Sequence, residues 1–565
     1  CFALTGPEAG SDAGSIPDTG VVCMGMHNGE EVIGLKLNWS KRYITLAPIA
    51  TVLGLAFKMY DPDGLLGDKK ELGITCALIP TDHEGVQKGE RHYPLNMAFM
   101  NGTTYGKDVF IPLDWIIGGE KGAGRGWRML VECLSAGRGI SLPALSTATG
   151  HLASRMTSAY ATVRQQFGVS IGQFEGVQEA LARIGGLTYT LESARLMTAG
   201  AIDLKLSPSV VTAIAKYHMT EMGRTVMNDA MDIHSGKGIQ VGPNNYLAHG
   251  YMGIPVSITV EGANILTRNL MIFGQGATRC HPFVLKEMAA AAMEDHDLAL
   301  KEFDSLLLQH ILFATSNAGM AFVHGLTRSY FAKSPVCGVT SHYYKQLSRM
   351  SRGLAFCTDV AMLVLGGELK RKEMISARLG DVLSHLYLAS CVLKRYEDEG
   401  RQQADLPFVQ YAVEHSLYSI GQAFDGFFKN FSNPIVNFLL KRIVFPLGNH
   451  YHRPSDELAQ TMCEHMTNPG VFRDRLTHLC YVDDKAGTGV MENAFLAMID
   501  TQEDFKQLRK WQKEGSISRN LELEDAIVEA AEKNLINATV AERMSEANAL
   551  RKQAIAVDNF APGEL

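Results

Sequence analysis

The rhythm of hydrophobic and polar positions along this chain changes near residue 115. Before that point, short β-branched or apolar stretches alternate with Gly, Pro and Asp turns. "EVIGLKLNWSKRYITLAP", "ATVLGLAFKMY" and "ELGITCALIP" read as strands, and "GTTYGKDVFIPLDWIIGG" as the strand that closes the module. From residue 116 onward, "EKGAGRGWRMLVECLSAGRGISLPALSTATGHLASRMTSAYATVRQQFG" carries apolar residues at helical spacing, interrupted by Gly. In "ISARLGDVLSHLYLASCVLKRY", Leu379, Val382, Leu383, Leu386, Ala389 and Leu393 share one stripe, with Arg378, Asp381 and His385 off it. A second break falls near "GQGATRCHPFVLKEM". The chain turns irregular and rich in His, Pro and Asp around 445–490, and the tail regains helical periodicity. The pattern predicts an α+β protein, mostly α, in three parts: a β-rich module over 1–115, a helical domain over 116–284 and a second helical region over 285–565.

Composition narrows the partners. The chain has 565 residues, 46% of them hydrophobic, and a net charge of −7. That balance gives no reason to expect nucleic acid or an anionic membrane as the main partner, while local basic patches remain free to hold a phosphorylated small molecule. The ten cysteines are scattered with no C-x-x-C pair. This argues against a disulfide framework and a zinc site, and suits a reducing compartment. No uninterrupted apolar run reaches the ~18 residues of a membrane span. The best candidate, "LAFCTDVAMLVLGG", carries Asp359.

Four stretches carry residues suited to chemistry. In "FALTGPEAGSDAGS", Gly6, Gly10 and Gly14 let backbone approach a ligand, and Thr5, Ser11 and Ser15 offer hydroxyls; a decorated β-turn has the same look. In "RYITLAP", strand alternation puts Tyr43 and Thr45 on one face, where a ring and a hydroxyl can meet a planar cofactor or simply line a half-buried strand. In "SITVEGANILTR", Glu261 follows a β-branched apolar run and precedes Gly262 and a helical start. A poorly hydrated carboxylate there can serve as a general base, or it can be a favourable charge at a helix N-terminus. "VRQQFG" and "DIHSGKGIQVG" set Arg164, Gln166, Phe167 and a glycine-rich turn at helix boundaries. An arginine there can take a phosphate and the aromatic a base, or the two can be a salt bridge and a core ring. His234 and His249 lack ligand spacing, so no metal is expected.

The order "ALTGPEAGSD", "NWSKRYIT", "RQQFG", "VEGANILTR" resembles the acyl-CoA dehydrogenase family across residues 1 to 283. "LNWSKRYITLAP", "GIPVSITVEGANILTR", "GQGATRCHPF" and the tail around "GGELKRKEMISARLGDVLSHLYLASCVLKRY" are similar to its long bacterial branch, which acts in fatty-acid β-oxidation and carries a C-terminal extension. The resemblance implies a middle β domain of barrel or sandwich type, a four-helix-bundle domain and further C-terminal helices. It also implies that an N-terminal helical domain precedes Cys1. The implied activity is FAD-dependent dehydrogenation of a medium- or long-chain acyl-CoA to the trans-2-enoyl-CoA, with an electron-transferring flavoprotein as reoxidant.

By the same resemblance, Glu261 is the catalytic base. Leu4, Thr5, Ser11, Tyr43 and Thr45 would contact the flavin and its ribityl chain. Arg164, Gln166, Phe167, Gln178, Asp232 and Gly236 would receive the cofactor's pyrophosphate and adenosine, in part from a neighbouring subunit. Ser11, Arg138 and Gly262 would lie at the acyl-CoA. A homodimer or higher homo-oligomer is implied. The expected location is the cytoplasm, with inner-membrane association left open through a preceding segment or the C-terminal helices. Gly6 stands where the family usually has Glu, Ala263 where a Thr commonly follows Glu-Gly, and "NNYLAHGYMGIP" lacks the usual Arg-Asp. Some relatives place the base at the position of Gly137, which here has no side chain to do so. The alternatives are an acyl-CoA oxidase, with O₂ as acceptor, and a catalytically dead scaffold of the same fold.

Overall fold

A computed structural model describes residues 1–483 and 486–564; the side chains of Ser135, Ala136, Gln275 and Arg279 also lie outside the description. The chain divides into two compact units, Cys1–Gly137 with Thr259–Ala263, and the remainder.

The first unit is a curled, mostly antiparallel sheet. Its strands are β1 (Phe2–Ala3), β2 (Thr19–His27), β3 (Glu30–Thr45), β4 (Val52–Tyr60), β5 (Glu71–Pro80), β6 (Val86–His92) and β7 (Asn101–Pro112). The hydrogen-bonded order is β1-β4-β2-β3-β7-β6, with β5 beside β4. The short β1 pairs with β4 in parallel, Phe2 against Gly54, which ties the opening loop to the sheet. Alternation along the strands sends Leu35, Leu37, Leu55, Phe57, Ile79 and Ile111 into one fully buried core. Lys41 is buried beside them and paired with Asp18, and its ammonium also donates to Leu4 O at 2.8 Å. Burial lowers the Lys41 pKa, and the Asp18 carboxylate opposes that shift.

The second unit is helical. Residues 138–163 of the helix Gly126–Val163, with Glu175–Asp203 and Ser209–His234, form its long N-terminal helices, and the C-terminal region adds His296–Leu326, Ser341–Leu365, Glu373–Asp398 and Leu406–Asn430 among others. One contiguous core joins Met156, Leu187 and Met219 to Phe408, Phe424, Phe495 and Met544. The C-terminal helices therefore share a core with the preceding ones. Close approach is secured by small residues: a Cβ on Gly186 would lie 2.2 Å from the Tyr411 ring, and one on Gly185 2.6 Å from Met466 Sδ.

The stretch 445–490, expected to be irregular, contains helices Asp456–Met466 and Val471–Leu476. Ser455 caps the first through Leu458 N–H, and buried Met462, Met466, Phe472 and Leu476 anchor both in the core. Tertiary burial thus overrides a composition that reads locally as loop.

No uninterrupted apolar run reaches ~18 residues, yet two helices are long and apolar enough on average to cross a membrane, by length and composition. His296–Leu326 and Ser341–Lys370 have mean hydropathies of 1.4 and 1.2 over an 18-residue window. Isolated polar residues such as His310 and Asn317 interrupt the apolar run without lowering its mean enough. Ser341–Leu365 buries Met350, Leu354, Cys357 and Ala361, as a core helix does, whereas His296–Leu326 leaves Leu307, Leu308, Ile311 and Leu312 exposed.

Candidate functional site

Glu261 sits on a turn between two helices. Ala248–Thr259 ends just before it, Asn264–Leu266 follows it, and a π-helical turn runs over Thr267–Gln275. Glu261 has φ 54° and Gly262 φ 97°, so two consecutive residues are left-handed. Glycine tolerates that conformation at no steric cost; glutamate does not, and such strain persists where surrounding structure enforces it. The enforcement is visible on either side of the turn. The Lys216 ammonium donates to Ile258 O at 2.8 Å and to Asn264 Oδ1 at 2.6 Å. Asn264 in turn donates to Thr220 Oγ1 at 2.9 Å and to Glu221 Oε1 at 2.7 Å. One buried lysine therefore holds the residue before the turn and the residue after it. Motif reading missed Lys216 and Asn264. An isolated Lys within the apolar run "AIAKYHMT" was the only local signal.

The half-buried Glu261 side chain points at Gly137 of the first unit. A Cβ placed on Gly137 would lie 3.5 Å from each of its carboxylate oxygens. A side chain at position 137 would thus reach into the space that the Glu261 carboxylate occupies.

In the same unit the hydroxyl-bearing residues of the opening loop and the end of β3 lie at the start of the chain and the end of that strand. Leu4 and Thr5 are half-buried, and their carbonyls are engaged by Lys41 Nζ and by Arg42 N–H at 3.1 Å. Ser11, Tyr43 and Thr45 are exposed. The simple alternation expected for Tyr43 and Thr45 fails. β3 slips register against β7 between Lys41 and Ile44, and Tyr43 has φ 63°. A β-bulge of this kind re-aims a side chain locally. Both residues still face outward, with Arg42 stacked 4.9 Å over the Tyr43 ring and Asn101 Nδ2 3.5 Å from Thr45 Oγ1.

Gly6 has a steric explanation. Its N–H donates to Ala9 O at 3.0 Å, and a Cβ there would stand 2.9 Å from Ser40 O. The residue is glycine because two backbone segments meet at it. Gly6→Glu should destabilise the first unit by about 1–3 kcal/mol, and Gly6→Ala should show most of that loss, because the clash begins at Cβ. Thermal melting of the two variants checks this; a neutral Gly6→Ala would refute the steric explanation.

In the second unit, Arg164 follows the helix Gly126–Val163, and Gln165–Gln166 pairs with Val169–Ser170 in a two-stranded hairpin. Phe167 at its tip has φ 51° and is 94% exposed, with Gly168 at φ 78°. A large ring held out on a tight turn is a stacking surface. The exposed Gln166 side chain donates to Gln165 O at 2.7 Å, while Gln178 Nε2 donates to Gly172 O at 3.2 Å. Asp232 and Gly236 flank the end of Ser209–His234, where Ser235 turns with φ 52°. A Cβ on Gly236 would meet nothing within 4 Å. Arg138 is half-buried at the start of this unit.

The histidines fall into two kinds. His234 is buried, with Nδ1 against Ala230 O at 2.8 Å and Nε2 against Tyr246 OH at 2.7 Å. His281, His310 and Asp359, far apart in sequence, come together in a cluster that motif reading did not find. His281 Nδ1 accepts the N–H groups of Phe283 and Val284, both at 3.2 Å, so its Nε2 carries the proton and donates to Asp359 Oδ1 at 2.8 Å. That tautomer leaves no lone pair on His281 Nε2 for a cation. His310 lies between Glu287 at 2.8 Å and Asp359 at 3.3 Å. Burial opposes its charge, but the two carboxylates outweigh burial and raise its pKa.

These features define an α+β chain with a carboxylate on a strained turn, a hydroxyl-lined loop and an exposed stacking hairpin. Family models match residues 1–109 (acyl-CoA dehydrogenase, middle domain), 124–272 (acyl-CoA dehydrogenase, C-terminal domain) and 278–560 (acyl-CoA dehydrogenase, C-terminal, bacterial type). The chain belongs to the acyl-CoA dehydrogenase family. It is 24% identical over 450 residues to the probable acyl-CoA dehydrogenase FadE10 of Mycobacterium tuberculosis, covering 76% of this chain and 65% of that protein. A shorter match, 63% identical over 108 residues, links 19% of this chain to 62% of the protein HemX of Proteus mirabilis. The chain thus spans less than two thirds of the length of these curated relatives. Among solved structures, an acyl-CoA dehydrogenase complexed with FAD from Bacillus anthracis shares the fold. Its TM-score is 0.64 at 17% identity, over 82% of this chain and 75% of that one.

Proposed function

We propose that this chain carries the catalytic part of a FAD-dependent acyl-CoA dehydrogenase that opens fatty-acid β-oxidation, oxidising a medium- or long-chain acyl-CoA to the trans-2-enoyl-CoA. The observation that carries the reading is the Glu261 carboxylate, fixed on a left-handed turn and aimed at the side-chain-free Gly137.

The donor set suits FAD. In the first unit Thr5, Ser11 and Thr45 offer hydroxyls and Tyr43 a ring; in the second, Arg164 offers a guanidinium, Phe167 a stacking face and Gly236 an open approach for backbone, in part toward the cofactor of a neighbouring subunit. Leu4, Gln166, Gln178 and Asp232 complete the proposed cofactor contacts, and Ser11, Arg138 and Gly262 those to the acyl-CoA. When bound, FAD supplies the acceptor for the hydride that leaves the β-carbon. Glu261 takes the α-proton, and its backbone N–H donates to the thioester oxygen as negative charge develops there. Lys216 and Asn264 are positioning residues that keep the turn in place for both roles.

Electrons pass on to an electron-transferring flavoprotein in this reading. The enzyme acts in the cytoplasm as a homo-oligomer, and the exposed apolar residues of His296–Leu326 support contact with the inner membrane. The matched family segments support a division into 1–115, 116–284 and 285–565. The test is anaerobic titration of the protein with acyl-CoAs of increasing length while flavin absorbance is followed. Bleaching that peaks at medium or long chains supports the proposal. A colourless protein would return it to the scaffold alternative, and stoichiometric peroxide in air would make it an oxidase.

A further inference from the structure

The glycine-rich stretch "DIHSGKGIQVG" folds as a turn with its own internal fastening. Asn245 is buried, and its Nδ2 donates to the carbonyls of Lys237, Gly238 and Gln240 at 3.1, 2.8 and 2.8 Å. Its Oδ1 accepts the N–H groups of Leu247 and Ala248, both at 2.9 Å. One amide side chain thus holds the turn together. It does not hold the turn in place, and backbone that leaves a helix at Ser235 with φ 52° and passes Gly236, Gly238 and Gly242 has little stiffness of its own.

The outside anchor comes from 314 positions further along the chain. After the helix Ala538–Ile555 the backbone is extended at Ala556 and brings Asp558 against the turn. One carboxylate oxygen of Asp558 accepts Asn244 N–H at 2.9 Å, and the other accepts Asn244 Nδ2 at 2.8 Å. Both bonds are charge-assisted, the stronger kind. The buried Lys237 ammonium is committed to Ala556 O at 2.7 Å. Burial lowers the Lys237 pKa, and the Asp558 charge opposes that shift. A Cβ on Gly242 would lie 2.3 Å from Asp558 Oδ2, so the carboxylate rests on backbone that only glycine leaves bare.

We propose that residues 556–558 clamp the turn 235–248, with Asp558 as the positioning residue, and that this clamp sets the affinity of the second unit for FAD. The step from clamp to cofactor rests on the function proposed above, in which Asp232 and Gly236, at the entry to the turn, are cofactor contacts. A turn that holds its binding-competent shape for only part of the time binds more weakly by that fraction.

The test follows FAD affinity and FAD release on the whole chain, with hydrogen exchange over 235–248 as a second reading. Asp558→Ala should weaken FAD about tenfold, the scale of charge-assisted hydrogen bonds lost at a half-buried site. Asp558→Asn, which keeps one acceptor oxygen, should lose less. Gly242→Ala should reproduce the effect with Asp558 intact, because its methyl displaces the carboxylate. Asn244→Ala added to Asp558→Ala should cost little more, since both remove the same contact. Exchange over 235–248 should quicken in each variant, while flavin reduction by acyl-CoA at saturating FAD keeps its rate. Arg543→Ala, which breaks the pair with Asp504 elsewhere in the C-terminal region, controls for general destabilisation and should leave FAD affinity unchanged. Unchanged FAD affinity in Asp558→Ala and Gly242→Ala, or an equal loss in Arg543→Ala, overturns the clamp and leaves the flavoenzyme reading standing. An unaltered chain that takes up no FAD overturns the flavoenzyme reading, and the part of the clamp in cofactor binding with it.

Discussion

Glu261→Gln is expected to slow anaerobic flavin reduction by acyl-CoA by about 10²–10⁴-fold, the usual contribution of a positioned general base, while FAD content and acyl-CoA binding stay near normal. Glutamine keeps the shape of the side chain and the backbone N–H, so only proton abstraction is lost. A variant that bleached at the normal rate would sink the assignment. The geometry around Gly137 supplies a sharper control. Because a Cβ there would lie 3.5 Å from both Glu261 carboxylate oxygens, position 137 opens onto the same space. Gly137→Glu combined with Glu261→Gly should recover part of the lost rate. Gly137→Glu alone should impair the protein, since two carboxylates would then compete for one poorly hydrated spot.

The second large effect concerns acid. His218 and His385 face each other at 5.1 Å, and His385 faces His415 at 6.4 Å, within the helical core. Burial pushes His218 down to about 3, with a contribution from the Arg268 charge, and His415 down to about 4. Burial also takes His234 down to about 3 and His385 well below its ordinary value. These side chains are neutral in the folded protein and charge readily once unfolded, with an ordinary pKa of about 6.5. Their contribution is whole above that value and is lost as pH falls from there towards the folded pKa. Between pH 7 and pH 5 His218, His234 and His415 should each cost about 2 kcal/mol, so these three together consume much of the stability of an ordinary domain. The melting temperature should therefore fall steeply below pH 6.5, and His218→Gln with His415→Gln should flatten that slope. A flat profile in the unaltered protein would show that the histidines charge in place.

The legible part of the molecule was the part governed by local repeats. Period-two stretches became β3, β4, β5 and β7, and the stripe from Leu379 to Leu393 became a core helix, because a residue's own burial is written in its spacing. The identity and order of the short motifs placed the chain in its family and marked Glu261. What repeats cannot encode is which distant backbone or side chain a residue will meet. The bulge that carries Tyr43, the contact of Gly6 with Ser40 O and the His281–His310–Asp359 cluster all depend on partners set by the fold. So does the pairing of Arg509 with Gln165, across 344 positions of sequence.

The opening loop shows the division within a few residues. Sequence alone determined its hydroxyls and glycines, hence the kind of ligand such a loop can take. Only tertiary structure decided why Gly6 departs from the family's glutamate, because the cause is a backbone oxygen 34 positions away in sequence that leaves no room for a Cβ.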